Sequence, residues 1–191
     1  MIAIDIDGVV ADSEAYLVRQ LEFYTGQDFV PPVPRTYDFR DGFRGLSLDD
    51  CLQNIDIALK RFSPSIPVHD YKRTYLALSK IQFAYDRVYF ITARSKDLWI
   101  ETNRWLERYF GCLDYTLYNV GHNADKEEWM INHGLTCIVE DRLKTVNGIQ
   151  DPHYAYLINR PWNNGRDINN NVIRVNDLLE AVNYHLGEPY V

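Results

Sequence analysis

Asp5 and Asp7 stand two residues apart at the end of the apolar run 2–6, and Gly8 follows at once. The run is short and rich in isoleucine, the pattern of a strand buried on both faces. Side chains in a strand repeat every two residues, so both carboxylates can point the same way. Two unit charges about 4 Å apart repel by about 4 kcal/mol at an effective dielectric of about 20. A pair so placed belongs to a wet turn or to a site that uses its charge. In α/β proteins ligands bind outside the carboxyl ends of the strands, and Gly8 lets the backbone turn sharply and approach a ligand. A calcium loop of the EF-hand type does not fit, because Val9 and Val10 occupy the following ligand region and no glutamate closes the loop.

Other polar residues are aimed at the same end of the chain's strands. Thr92 ends the apolar run 87–91, and Glu140 and Asp141 directly continue the run 136–139. Polar residues also follow strands merely because loops are wet, but here a second acidic pair repeats the arrangement of the first. If the two acidic strands are neighbours, Asp141 faces Asp5 across the switch point of the sheet. Carboxylates from two strands and a backbone carbonyl are hard oxygen ligands suited to Mg²⁺. Lys126 sits in the first turn of an expected helix, after Asp125 and before Glu127 and Glu128. A cation there opposes the helix dipole. Either it is an exposed residue screened by its acidic neighbours, or it faces an anion at the helix N-terminus.

The elements that must hold these residues follow from the hydrophobic pattern. After the first strand, Ser13 reads as the cap of a helix reaching about residue 24, with Gly26 as its stop. Residues 28–45 hold prolines, aromatics and arginines and read as irregular. Ser47 caps a second helix with Leu48, Leu52, Ile55, Leu59 and Phe62 at helical spacing, and a third spans about 68–82. From residue 86 strands and helices alternate: strands at 87–91, 115–120, 136–139, 154–158 and 172–175, with helices from Ser95, over 125–133, and from Asn176 to Gly187. Such alternation implies a parallel sheet covered on both faces. The expectation is an α/β, Rossmann-like three-layer core of residues 1–12 and 81–191, with residues 13–80 as a small helical cap.

The composition of the 191 residues narrows the classes further. At 46% hydrophobic the chain can bury a core, and a net charge of -7 without a basic stripe argues against a nucleic-acid polymer as partner. Cys51, Cys112 and Cys137 are odd in number and without CxxC spacing, which fits neither a disulfide scaffold nor zinc. No apolar run is long enough to span a membrane. With the candidate strand beginning at residue 2, no signal peptide is expected, and the reading is cytoplasmic.

Four motifs in order now carry a resemblance: DIDGV from Asp5, Thr92 in ITAR, Lys126, and Glu140-Asp141 in IVEDR. Together they resemble the haloacid-dehalogenase-like superfamily of aspartate-nucleophile phosphatases. Within it the chain is most similar to the 5′(3′)-deoxyribonucleotidase group, through the helical insertion, ITAR, EDRLKTV from Glu140 and NRPWN from Asn159. Glu140 departs from the pattern, where a second aspartate is more usual. The resemblance implies that Asp5 is the nucleophile and Asp7 the acid and base. It implies Mg²⁺ on Asp5, the Asp7 carbonyl and Asp141, with Glu140 behind them, and phosphate held by Thr92, Ala93 and Lys126. The implied substrate is a nucleoside monophosphate. Tyr16, Phe39, Arg40, Phe43 and Arg44 of the cap are candidates for substrate contact, by stacking or by charge, or for packing the cap itself. Arg94, Arg160 and Trp162 lie on loops near the same opening and receive no role. Two alternatives stay open: the same chemistry on a sugar, small-metabolite or polynucleotide 3′-phosphate, and a non-catalytic nucleotide- or protein-binding chain. A monomer or a homodimer is expected.

Overall fold

The computed structural model describes residues 1–122 and 124–188. Its strands are β1 (Ile2–Ile4), β2 (Val88–Thr92), β3 (Tyr115–Asn119), β4 (Cys137–Glu140), β5 (Tyr154–Ile158) and β6 (Val172–Val175). They form one sheet in the order β3-β2-β1-β4-β5-β6, with every neighbouring pair parallel. The helices are α1 (Glu14–Thr25), α2 (Leu48–Phe62), α3 (Tyr71–Tyr85), α4 (Trp99–Phe110), α5 (Lys126–Asn132), α6 (Leu143–Val146) and α7 (Leu178–Leu186).

Period-two alternation along the strands assigns the layers. Ile2, Ile4, Phe90 and Val139 share a buried cluster with Leu78, Ile81, Trp105, Phe110 and Val182, so α3, α4 and α7 cover that face. Ala3, Ile91, Ile138 and Leu157 pack with Met130 and Val146 on the other, under α5 and α6. Each large apolar side chain so buried contributes about 1.5–3 kcal/mol. The order of strands reverses between β1 and β4, and that crevice is where an open parallel sheet binds its ligand. Apart from these layers, Leu21, Phe43 and Cys51 close a small core between α1 and α2, with Phe29, Phe39, Leu46 and Ile55 around it. Among the described residues no helix is long and apolar enough to cross a membrane.

Several boundaries move for identifiable reasons. β1 stops at Ile4, although the Asp5 N–H still donates to the Val139 carbonyl at 3.0 Å. The third helix starts at Tyr71 because Val68 is drawn into a bridge with Ala11, and Asp70, at φ 31°, caps the Arg73 N–H. A 3₁₀ turn over Lys96–Leu98 delays α4 to Trp99. Asp177, not Asn176, caps α7 by accepting from the Glu180 N–H, while the Glu180 carboxylate accepts from the Asn176 N–H at 2.7 Å. Ser13 precedes α1 without a side-chain cap, its hydroxyl being engaged by Asp7.

Candidate active site

Alternation sends Asp5 to the same face as Ala3, the face covered by α5, and there it meets Lys126. The Lys126 ammonium lies 2.8 Å from Asp5 Oδ1 and 2.7 Å from Glu140 Oε2, and all three residues are buried. The hydrogen bond goes to Glu140, and the approach to Asp5 is a charge contact. Glu140 also accepts from the backbone N–H groups of Asp141 and Arg142 at 3.0 and 3.1 Å, so both its oxygens are committed. Asp125 caps α5 through the N–H groups of Glu127 and Glu128, which starts the helix at Lys126. The lysine that opposes the helix dipole is therefore held by two carboxylates from the sheet. Burial alone would pull its pKa down, but Asp5 and Glu140 keep it above that of a free lysine.

Carboxylate oxygens of Asp5, Glu140 and Asp141 lie within 4.8 Å of one another, and the ammonium beside them, that of Lys126, pairs with Asp5 and Glu140. Burial and the Glu140 charge push Asp5 well above the ordinary carboxylate range, with Lys126 only partly opposing. Burial, Glu140 and Asp5 do the same to Asp141. Burial also works against ionised Glu140, but Lys126 outweighs it and leaves that carboxyl below its usual value. Asp141 Oδ1 is buried and meets no hydrogen-bond donor. Hard oxygens in negative excess, one of them unmatched, fit a divalent cation such as Mg²⁺. The bridge between Asp7 and Ala11 runs through the Ile6 carbonyl and the Gly8 N–H, which keeps the Asp7 carbonyl out of it.

This charge pattern has a pH signature. Asp5 and Asp141 have folded pKa values above their unfolded ones, so the folded state binds more protons and stability falls as pH rises from the ordinary carboxylate range through the raised values. Asp7 and Glu140 act in the opposite sense, losing their contribution as pH falls through their depressed values. A cation competes with the protons on Asp5 and Asp141. The rise in Tm produced by Mg²⁺ is therefore expected to be larger at about pH 7.5 than at about pH 5. Thermal melts with Mg²⁺ and with chelator check this, and an equal shift at both pH values would contradict it.

Gly8 explains how the loops that follow β1 and β4 approach so closely. It has φ +76°, and a Cβ built there would lie 2.1 Å from Asp141 Oδ2. Gly8→Ala is expected to displace Asp141 and to lower stability by about 1–3 kcal/mol. Chemical denaturation measures this, and an unchanged midpoint would show that Asp141 moves aside freely.

The Asp7 carboxylate is gripped by Arg94, whose Nε lies 2.7 Å from Oδ2 and whose NH2 lies 2.8 Å from Oδ1. Burial tends to raise the pKa of Asp7, but Arg94 and the Ser13 hydroxyl outweigh it and hold the carboxyl below the usual range. Thr92, buried at the end of β2, accepts the Arg94 N–H at 3.3 Å, and Ala93 between them is partly exposed. Arg160 Nε donates to the Gly8 carbonyl at 2.7 Å. Asn163 Nδ2 donates to the carbonyls of Asp141 and Ile158 at 2.7 and 2.8 Å. The loop after β5 thus ties both acidic loops in place. Its Asn-Arg-Pro-Trp-Asn composition was the only signal of that role in the sequence.

A cleft of about 450 Å³, its open mouth included, lies over Asp7, Gly8 and Asp141. Its walls include Leu17, Tyr37, Phe39 and Trp162, and its rim includes Asp12, Thr36 and an ion pair between Arg35 and Glu14. Tyr37 and Trp162 meet edge to face at 6.3 Å, and the Arg142 guanidinium lies 5.0 Å from the centre of the Tyr37 ring. The Tyr37 side chain is 41% exposed on this wall, and crowding of its hydroxyl together with the charges of Asp141, Glu140 and Asp5 holds its pKa above that of a free tyrosine. Of the five cap candidates only Phe39 lines this cleft. Tyr16 packs on Phe62 and donates its hydroxyl to the Ser65 carbonyl. Arg40 forks onto Asp38, Phe43 is buried against Phe29, and Arg44 is exposed.

No protein-family model matches the chain, and no curated protein matches it. Solved structures do. CbbY from Rhodobacter sphaeroides in complex with phosphate superposes with a TM-score of 0.61 at 12% identity, over 94% of this chain and 94% of that one. A haloacid dehalogenase-like family hydrolase from Xanthomonas campestris gives 0.53 at 13% identity, over 97% and 96%. D,D-heptose 1,7-bisphosphate phosphatase from Burkholderia thailandensis gives 0.53 at 10% identity, over 98% of both chains. At these identities the likeness is one of fold: the chain has the haloacid-dehalogenase-like α/β fold expected from its motifs.

Proposed function

We propose that the chain is a Mg²⁺-dependent phosphomonoesterase that works through an aspartyl-phosphate at Asp5, with nucleoside monophosphates as substrates in the manner of the 5′(3′)-deoxyribonucleotidases. The observation that carries the reading is the gathering of Asp5, Lys126, Glu140 and Asp141 at the crevice between β1 and β4, with Asp7 at the floor of the cleft. Residues 1–12 and 81–191 act in it as the catalytic core and 13–80 as the cap. Asp5, the Asp7 carbonyl and Asp141 would hold the cation, and Glu140 braces them. When bound, Mg²⁺ supplies positive charge against the phosphate oxygens and the acids around them.

Asp5 attacks phosphorus in line. Its oxygen–phosphorus bond forms as the ester oxygen–phosphorus bond breaks, and the departing alkoxide takes the proton of Asp7. Water then attacks the same phosphorus, gives a proton to the Asp7 carboxylate and expels Asp5. Ester and water become alcohol and phosphate. Asp7, whose carboxylate form Arg94 and Ser13 favour in the empty site, takes up the proton it donates when the phosphate dianion binds beside it, and holds a proton again at the end. Lys126, with a third N–H beyond its two acidic contacts, and Thr92 and Ala93 at the end of β2 donate to the non-bridging oxygens. Tyr37, Phe39 and Trp162 offer the aromatic surface on which a base stacks. A second reading, a sugar or small-metabolite phosphate, draws support from the polar rim of Asp12, Glu14, Arg35 and Thr36. The similarity to a heptose bisphosphate phosphatase points the same way.

A panel of nucleoside monophosphates, sugar phosphates and an aryl phosphate, with Mg²⁺ and with chelator, tests both readings. Release of phosphate is expected only with the cation, with kcat/KM at least about tenfold higher on nucleotides. Equal or better turnover of sugar phosphates would replace the first reading by the second. Binding of nucleotide without any release would make the chain a binding protein instead.

A further inference from the structure

Arg94 is 2% exposed and its guanidinium is braced on several sides. Its Nε and NH2 take the two oxygens of Asp7 at 2.7 and 2.8 Å, and its NH1 lies 3.4 Å from Thr102 Oγ1. Thr102 is itself fixed by the Leu98 carbonyl at 2.8 Å and the Asn119 amide at 3.3 Å. The guanidinium also sits 6.0 Å from the centre of the Trp105 ring. A planar fork held this way sets the plane of the carboxylate it grips, which a lysine or a single hydrogen bond does not do. Asp7 meanwhile keeps 24% of its side chain exposed and lines the cleft. With Arg94 on both oxygens and the Ser13 hydroxyl on one, the other oxygen retains a second lone pair for a proton on the cleft side.

We infer that Arg94 is the positioning residue for Asp7, fixing the carboxylate so that it meets the leaving oxygen in the first step and the attacking water in the second. The inference rests on the reading proposed above. Arg94 touches neither substrate nor cation in it and acts only through Asp7. It also assigns the second residue after β2 a part in the chemistry, beside Thr92 and Ala93.

The dependence of rate on the leaving group tests this, because a merely structural role would slow all substrates alike. Full-length protein with Mg²⁺ is mixed rapidly with 2,4-dinitrophenyl phosphate, whose phenolate leaves without a proton, or with an alkyl phosphate, whose alkoxide needs one. In Arg94→Met the first turnover of the alkyl ester is expected to fall about 100-fold, and that of the dinitrophenyl ester by less than about threefold. Phosphoenzyme breakdown also slows, so the dinitrophenyl ester gives a burst followed by a slow phase. Arg94→Lys, which can hold one oxygen but not set the plane, falls between and carries the same comparison if the methionine variant does not fold. Equal losses on both esters, or no loss on either, would overturn the inference. A wild-type chain that turns over neither ester would instead refute the phosphomonoesterase reading, and Arg94's role with it.

Discussion

Asp5→Asn is expected to abolish phosphate release and yet leave the metal-free fold at least as stable as the wild type. The amide cannot form the acyl phosphate, and loss of a nucleophile lowers turnover by about 10⁴-fold or more. Stability moves the other way because Asp5 is repelled where it stands. Burial and Glu140 raise its pKa well above the ordinary range, and Lys126 offsets only part of this. The amide removes one of the three clustered carboxylates, while Lys126 keeps its hydrogen bond to Glu140. The gain near neutral pH is on the order of 1 kcal/mol. It shows as a higher melting temperature in chelator and disappears at acid pH, where Asp5 of the wild type is already protonated. A variant that melts much lower and releases phosphate at wild-type rate would contradict both halves.

Lys126→Met should do the opposite to the fold. The lysine is buried between Asp5 and Glu140 at 2.8 and 2.7 Å, and its removal strands charges that no other cation among the described residues pairs with. Breaking a buried pair from one side costs about 3–5 kcal/mol. The loss is greatest near neutral pH and shrinks as the stranded acids take up protons. Urea denaturation at two pH values measures it, and Mg²⁺ restores part of the stability by replacing the missing positive charge. A loss below about 1 kcal/mol would mean that the acids find solvent and that Lys126 is not the cluster's counter-charge.

The residues of the acidic cluster were legible because each has a type at odds with its surroundings. Asp5 interrupts an apolar strand, Glu140 and Asp141 extend one, and Lys126 opposes a helix dipole. The partner of Lys126 was not legible, since screening by Glu127 and Glu128 fitted the sequence equally well. The choice needs the pairing of β1 with β4, which brings Asp5 level with Glu140. Arg94 was visible but without a role, because an arginine after a strand is commonly exposed. Only the β2–α4 packing that buries it turns it toward Asp7. Residues 13–80 were the least legible part. Aromatic and basic residue types do not tell which side of an irregular loop they occupy. Phe43 therefore fills the small core between α1 and α2 and Arg40 pairs locally, while Tyr37 meets Trp162 from the far end of the chain. The strands and the longer helices of the core were legible to within a few residues, since β1, β2, β4 and β5 are mostly buried on both faces and read as apolar runs. The four-residue α6 is too short to carry a helical period.

Trapping the covalent intermediate is the most direct measurement. Protein mixed with a phosphomonoester and Mg²⁺, quenched within a turnover and reduced with borohydride, converts an aspartyl-phosphate to homoserine that mass spectrometry can locate. Homoserine at position 5, formed only when both substrate and Mg²⁺ are present, is the expected result. Phosphate release with residue 5 still aspartate, or with the modification at another carboxylate, would show that Asp5 is not the nucleophile.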